Sequence, residues 1–179
     1  ASAPITSAPN SPLITSPDVD EVITIPPQVG IAKQASASTD NADGTFTTTI
    51  TLNIENLSAE TLNSIQVSDD LTTAFGTYVA GVPANAGEYT VTSINLGGLT
   101  TASPAFDGSA NQNFLDASDS LLSAATATIT FDLRFFPSAS SYTNQANVSG
   151  IGATSGQTAT DTSDDGTNPD PDGDGDPDE

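Results

Sequence analysis

Residues 44–57, read in twos, separate into a mostly apolar and a polar set. Phe46, Thr48, Ile50, Leu52 and Ile54 fall on one side, and Thr45, Thr47, Thr49, Thr51, Asn53 and Glu55 on the other. Period two is the mark of a strand with one buried and one wet face. Threonine suits the solvated side of a sheet. Residues 125–135 repeat the pattern. Ala125, Ala127, Ile129, Phe131, Leu133 and Phe135 face Thr126, Thr128, Thr130, Asp132 and Arg134. Such strands cannot bury their apolar sides alone, so they predict a second sheet packed on the first.

Shorter runs fill in the rest. Val29 and Ile31 open the body, residues 62–67 make a third strand, and residues 88–96 another with Tyr89 and Val91 inward. Residues 142–148 and a polar run at 156–162 follow. Turn residues cluster at 40–44, at 97–98 and after Pro137, and residues 103–120 read as loop with Phe106, Phe114 and Leu115 plugging the core. With no amphipathic helix, this predicts an all-β, immunoglobulin-like antiparallel β-sandwich of about seven strands.

The ends differ in composition. Residues 1–27 are rich in Pro, Ser and Thr and read as an extended tail, yet Leu13 and Ile14, and then Val22, Ile23 and Ile25, form apolar islands in it. A solvated linker has no use for such islands, so they read as a donor strand for a neighbouring subunit. Residues 28–162 form the sandwich, a body of about 130 residues with room for its own core. Residues 163–179 are an Asp-rich tail that cannot pack as a core and repels itself unless neutralised.

Composition narrows the chemistry. There are 2 basic and 23 acidic residues, a net charge of −21, and no His, Cys, Met or Trp. Imidazole and thiol mechanisms are therefore absent, with most zinc, haem and iron–sulfur sites. Nucleic acid and anionic membranes are poor partners for so acidic a chain, and no apolar run is long enough to span a bilayer. No nucleophile–base set is visible, so the expectation is not an enzyme. The lysine-poor, hydroxyl-rich surface fits a protein working outside the cell, secreted with its signal peptide removed.

Several motifs follow one another in order. They are Val29-Gly30-Ile31-Ala32-Lys33, Asp40-Asn41-Ala42-Asp43-Gly44-Thr45-Phe46, Ile65-Gln66-Val67-Ser68-Asp69-Asp70-Leu71, Pro104-Ala105-Phe106-Asp107-Gly108, Tyr142-Thr143-Asn144-Gln145-Ala146-Asn147-Val148, and Asp161-Thr162-Ser163-Asp164-Asp165-Gly166-Thr167-Asn168-Pro169-Asp170. Together they resemble one unit of the immunoglobulin-like repeat domain found in tandem in bacterial surface proteins and adhesins. The resemblance covers about residues 29–178 and implies display outside the cell with a spacer, adhesive or scaffold role. Here only one copy is present.

Two constellations carry chemistry. Asp170, Asp172, Asp174 and Gly175 reproduce the spacing of Asp-rich calcium loops, with Asp176 and Asp178 following. Asp161, Asp164 and Asp165 are further ligand candidates, and the plain alternative is a solvated acidic linker. Lys33, Asp69 and Asn144 (or Asn147) are the parts of an internal Lys–Asn amide cross-link of the kind some bacterial surface sandwiches form. The alternative is an exposed or salt-bridged lysine. Asn56 and Asn147 sit in glycosylation sequons. Asp69-Asp70 reads as turn capping rather than paired catalytic carboxylates. The leading expectation is a structural subunit of an extracellular filament or surface layer, a homopolymer joined by strand donation and braced by Ca2+. The other reading is an adhesin module binding a glycan or surface ligand.

Overall fold

In this computed structural model, residues 25–177 are described. Two sheets face each other. Their strands are β1 Val29–Ala35, β2 Thr39–Asp40, β3 Phe46–Asn56, β4 Leu62–Asp69, β5 Thr77–Tyr78, β6 Glu88–Asn95, β7 Ser120–Leu121, β8 Thr126–Phe135, β9 Ala146–Gly152, β10 Thr158–Thr162 and β11 Asp164–Asp165; one helical turn, α1, spans Thr72–Phe75. The larger sheet is ordered β11-β1-β3-β8-β6-β5, with β2 also pairing β3, and the smaller β10-β9-β4-β7. The all-β immunoglobulin-like sandwich is thus present, with several two-residue strands added to the seven main ones.

The two alternating strands are neighbours at the centre of the larger sheet. β3 pairs β8 antiparallel from Phe46↔Phe135 to Glu55↔Thr126. Leu52, Ile129, Phe131 and Leu133 are fully buried, while Thr51 and Thr130 are only half-buried on the other face. The register read from the sequence is therefore the observed one. Ile65, Val67 and Val148 meet this face from the smaller sheet. Phe106 stacks on Phe114 with ring centroids 3.7 Å apart, and Phe131 meets both. Phe106 is held there by a loop in which Gly108, at φ 69°, leaves no room for a side chain beside Leu71.

Two details differ from expectation. The strand expected from residue 142 begins only at Ala146. The Tyr142 hydroxyl accepts the backbone N–H groups of Ser138 and Ala139, at 2.8 and 3.0 Å, and its ring stacks on Phe75 at 4.8 Å. Tyr142 and Asn144 therefore lie in an anchored loop. In β6, Tyr89 and Val91 are both inward as expected, Tyr89 fully buried and Val91 partly buried against the core; beyond them the register with β8 shifts between Thr92 and Asn95, where Ser93 takes φ 55°. The helical turn α1 was not foreseen; Asp70 Oδ1 accepts the Thr72 N–H at 2.9 Å and fixes its start.

The sheet edges are treated differently. At Ser163 the chain leaves the smaller sheet, and β11 then runs parallel to β1, pairing Ala32↔Asp164 and Lys33↔Asp165. The outer side of β4 is covered by Asp69 N–H to Gln112 O and Phe114 N–H to Val67 O, at 2.9 and 2.8 Å. β10 is a polar edge with Thr158, Thr160 and Thr162 exposed. The outer side of β6 is paired by β5 only at Glu88 and Tyr89. Beyond that, among the described residues, residues 91–95 have no strand on that side.

Leu52→Ala or Phe131→Ala should cost about 2–5 kcal/mol, the range for emptying a packed core site. Thr51→Ala and Thr130→Ala should each cost well under about 1 kcal/mol. Urea denaturation of the four variants checks this, and equal losses on both faces would contradict the register.

Candidate functional site

Lys33 alternates along β1 with Val29 and Ile31, so it points between the sheets and not into water. Asp69 ends β4 on the same inward set as Ile65 and Val67. The Lys33 Nζ donates to Asp69 Oδ2 at 2.5 Å, an ion pair that crosses from one sheet to the other. Lys33 is 9% exposed and Asp69 1%. Asn144 completes the group, its Nδ2 donating to Asp69 Oδ1 at 2.6 Å. Asp69 pairs with Ala146 across the β4–β9 ladder, and Asn144 lies two residues before Ala146, so the start of β9 sets its approach. One carboxylate thus holds an amine on one oxygen and a primary amide on the other.

Burial pushes the Lys33 ammonium below its ordinary value, against the pull of Asp69. Burial likewise pushes the Asp69 carboxyl up, against Lys33 and the Asn144 hydrogen bond. Both directions favour moving the proton from nitrogen to oxygen. Lys33 and Asn144 line a cleft of ≈ 740 Å³ whose walls also include Leu71, Phe75, Tyr142 and Leu133. Among these, Tyr142 positions Asn144 through the loop anchoring already described. Asn147 lies on the exposed side of β9, and its Oδ1 accepts the Thr162 hydroxyl, so Asn144 and not Asn147 is the partner.

The Asp-rich segment folds back on the outside of β1. A Cβ added at Gly30 would lie 2.8 Å from Pro169 Cβ and 3.2 Å from Pro177 Cβ. Both prolines therefore seat on the bare backbone of Gly30. Asn53 Nδ2 also donates to Thr167 O at 2.8 Å. Within the segment Asp170 accepts the N–H groups of Gly173 and Gly175, Asp172 that of Asp174, and Asp174 that of Asp176. Asp170, Asp172 and Asp174 each offer a carboxylate oxygen, all within 4.8 Å of one another. They could hold a metal ion, and an all-oxygen donor set suits a hard cation.

No family model matches the chain, and no curated protein matches it in sequence. Among solved structures it is similar to a GH20 exo-β-N-acetylglucosaminidase from Vibrio harveyi, seen as an inactive mutant and in complex with N-acetylglucosamine. Each shows 13% identity and a TM-score of 0.40, over 78% of this chain and 18% of that one. The chain thus spans less than a fifth of that enzyme. It is also similar to the N-terminal domain of PorA, at 14% identity and a TM-score of 0.35, over 77% of this chain and 97% of that one. Likeness at this level carries no argument about chemistry.

The remaining candidates separate. Asp161, Asp164 and Asp165 do not join the three-carboxylate group. Asp161 Oδ2 instead accepts the Ile31 N–H at 2.7 Å, stitching β10 to β1, and the other two form β11. Asp176 follows the group without belonging to it, and Asp178 lies outside the described residues. So do Leu13, Ile14, Val22 and Ile23; Ile25 is described and 78% exposed. At the Asn56 sequon, Asn56 is fully buried, and its Nδ2 donates to the carbonyls of Glu60 and Leu121 at 2.8 and 2.9 Å, so it serves the fold. Sequence reasoning missed the Gly30 socket, although a glycine inside a strand is itself a sign of close approach.

Gly30→Ala should lift the prolines off β1, since the new Cβ would meet Pro169 O at 2.9 Å as well as the ring. Amide exchange at Gly173 and Gly175 should then speed up while β3 and β8 keep their protection. Unchanged exchange would mean that the segment is held elsewhere.

Proposed function

We propose that the chain is a structural module of an extracellular bacterial filament or surface assembly, joined head to tail by its N-terminal segment. The observation that carries this is the outer edge of β6. Residues 91–95 lack a strand partner there among the described residues, and Val91, Ile94 and Leu96 are half-buried beside it. An open edge with apolar flanks is where an extended segment adds as a strand. β1, which follows the N-terminal segment, lies toward the opposite side of the same sheet from β6. Donor and acceptor on opposite flanks give a heterologous contact, which repeats into an open fibre. The apolar islands at Leu13, Ile14, Val22, Ile23 and Ile25 supply the alternate side chains such a strand needs.

Calcium fits the same reading. The Asp-rich segment sits on Gly30, a few residues from where the N-terminal segment enters β1. A divalent cation on Asp170, Asp172 and Asp174 would stiffen that corner and relieve part of the −21 charge. In assembly the cation would brace the side from which the donor strand departs.

Deleting residues 1–27 should leave a folded monomer that no longer assembles, and added peptide of residues 11–27 should bind it. Val91→Pro should block assembly of the full chain. Residue 91 follows Tyr89, whose carbonyl bonds outward to Val79 N–H, so by alternation its own N–H also points outward. Electron microscopy of purified protein reads both, and filaments from the truncated chain would end the strand-donation reading. Separately, excess calcium should raise the melting temperature above that in chelator, whereas identical melts would remove calcium from the account.

A further inference from the structure

We propose that Lys33 and Asn144 join covalently, Lys33 Nζ to Asn144 Cγ, with Asp69 as the proton carrier, so that the two sheets are linked by a side-chain amide. The geometry supplies each requirement. A primary amine and a primary amide hang on the two oxygens of one carboxylate, at 2.5 and 2.6 Å. That places them side by side, and burial of the amine and carboxyl excludes most competing water. Holding two reacting groups in this way replaces a bimolecular encounter with a local one. An ammonium cannot attack a carbonyl, so the amine must first lose a proton. Among the described residues the acidic group it touches is Asp69, and burial drives both partners toward their neutral forms.

The steps balance. Asp69 Oδ2 takes a proton from the Lys33 ammonium, leaving a neutral amine and a neutral carboxylic acid. The Nζ lone pair attacks Asn144 Cγ and forms a tetrahedral centre carrying a positive nitrogen and a negative oxygen. Asp69 then donates its proton to Asn144 Nδ2, the group already hydrogen-bonded to it. The Cγ–Nδ2 bond breaks, ammonia departs, and Asp69 takes back one proton from Nζ. The product is a secondary amide, a neutral Asp69 and one molecule of ammonia, with no oxidant, reductant or outside reactant. The open cleft lined by Lys33 and Asn144 gives ammonia a way out.

Asp69 is the catalytic residue here, since it touches both reacting groups. Tyr142 is a positioning residue. Its hydroxyl accepts two backbone N–H groups of its own loop and its ring packs on Phe75, which fixes the loop that presents Asn144.

The test is the intact mass of the full chain, purified folded and measured under denaturing conditions. The expected mass is below the sequence mass by one ammonia. Digestion with an Asp- and Glu-specific protease should release a branched peptide joining residue 33 to residue 144. The full sequence mass in the folded protein overturns the proposal, as does an ammonia loss mapped to another asparagine. Asp69→Asn keeps the packing but cannot carry the proton, and it should give the full sequence mass. A cross-linked Asp69→Asn chain would remove Asp69 from the mechanism. If a variant fails to fold, the mass and peptide map of the unaltered chain still decide. The readout is the same for monomer and filament, so its outcome is separate from that of strand donation.

Discussion

A lysine and an aspartate facing each other between two sheets are the constraint around which this sandwich is built. Taking both charges from water costs several kcal/mol per ion, and only close geometry with every remaining lone pair satisfied recovers it. The pair obtains that geometry from three places at once. β1 brings Lys33, the end of β4 brings Asp69, and the loop before β9 brings Asn144 to the second oxygen. None of the three can shift without leaving a buried polar group unmatched. The other cation of the chain shows the contrast. Arg134 lies on the outer face of β8 and pairs with Asp43 at the surface, where solvent screens the interaction.

The same constraint explains why β1 is covered on both faces. A strand carrying a buried charge pair at its inner face cannot fray without wetting that pair. Its outer edge is paired by β11, the Ile31 N–H is taken by Asp161, and the outer face at Gly30 is closed by Pro169 and Pro177. The C-terminal segment therefore does two things. It seals the first strand, and it presents Asp170, Asp172 and Asp174 as a group held by its own backbone N–H bonds. An acidic run that would otherwise repel itself is kept in one place by prolines and a glycine.

Most of the fold was legible because period two is unambiguous in β3 and β8, and because a two-faced strand demands a second sheet. The aromatic plugs Phe106 and Phe114 were legible for the same reason, being apolar residues stranded in loop sequence. What was not legible depended on partners far along the chain. The extended reading of residues 142–145 failed because the Tyr142 hydroxyl finds Ser138 and Ala139 and its ring finds Phe75. The break in β6 past Thr92 was not legible because a bulge is a property of two strands and cannot be read from one. The role of Asn56 was not legible because nothing local shows that its amide closes onto Leu121, 65 residues away. The parts Lys33, Asp69 and Asn144 (or Asn147) are suggested by likeness to cross-linked surface sandwiches, but the choice of Asn144 and the contacts themselves rest on long-range pairing.

Where force would run gives these features one logic. The N-terminal segment enters at β1, and the chain leaves the sandwich through β11, which lies alongside β1 and parallel to it. Tension between neighbours in a fibre would therefore shear β1 against β3 and β11, loading the strand that carries Lys33. Backbone hydrogen bonds there share that load only until the first of them slips. The neighbour's strand pulls on the β6 edge, so the load crosses β8 and β3 to reach β1, and an amide from Lys33 to Asn144 would tie β1 to the start of β9 in the other sheet and keep it seated under that load. A chain without cysteine cannot place a disulfide there. Its one lysine is buried on β1, where a covalent tie would hold the strand that follows the N-terminal segment.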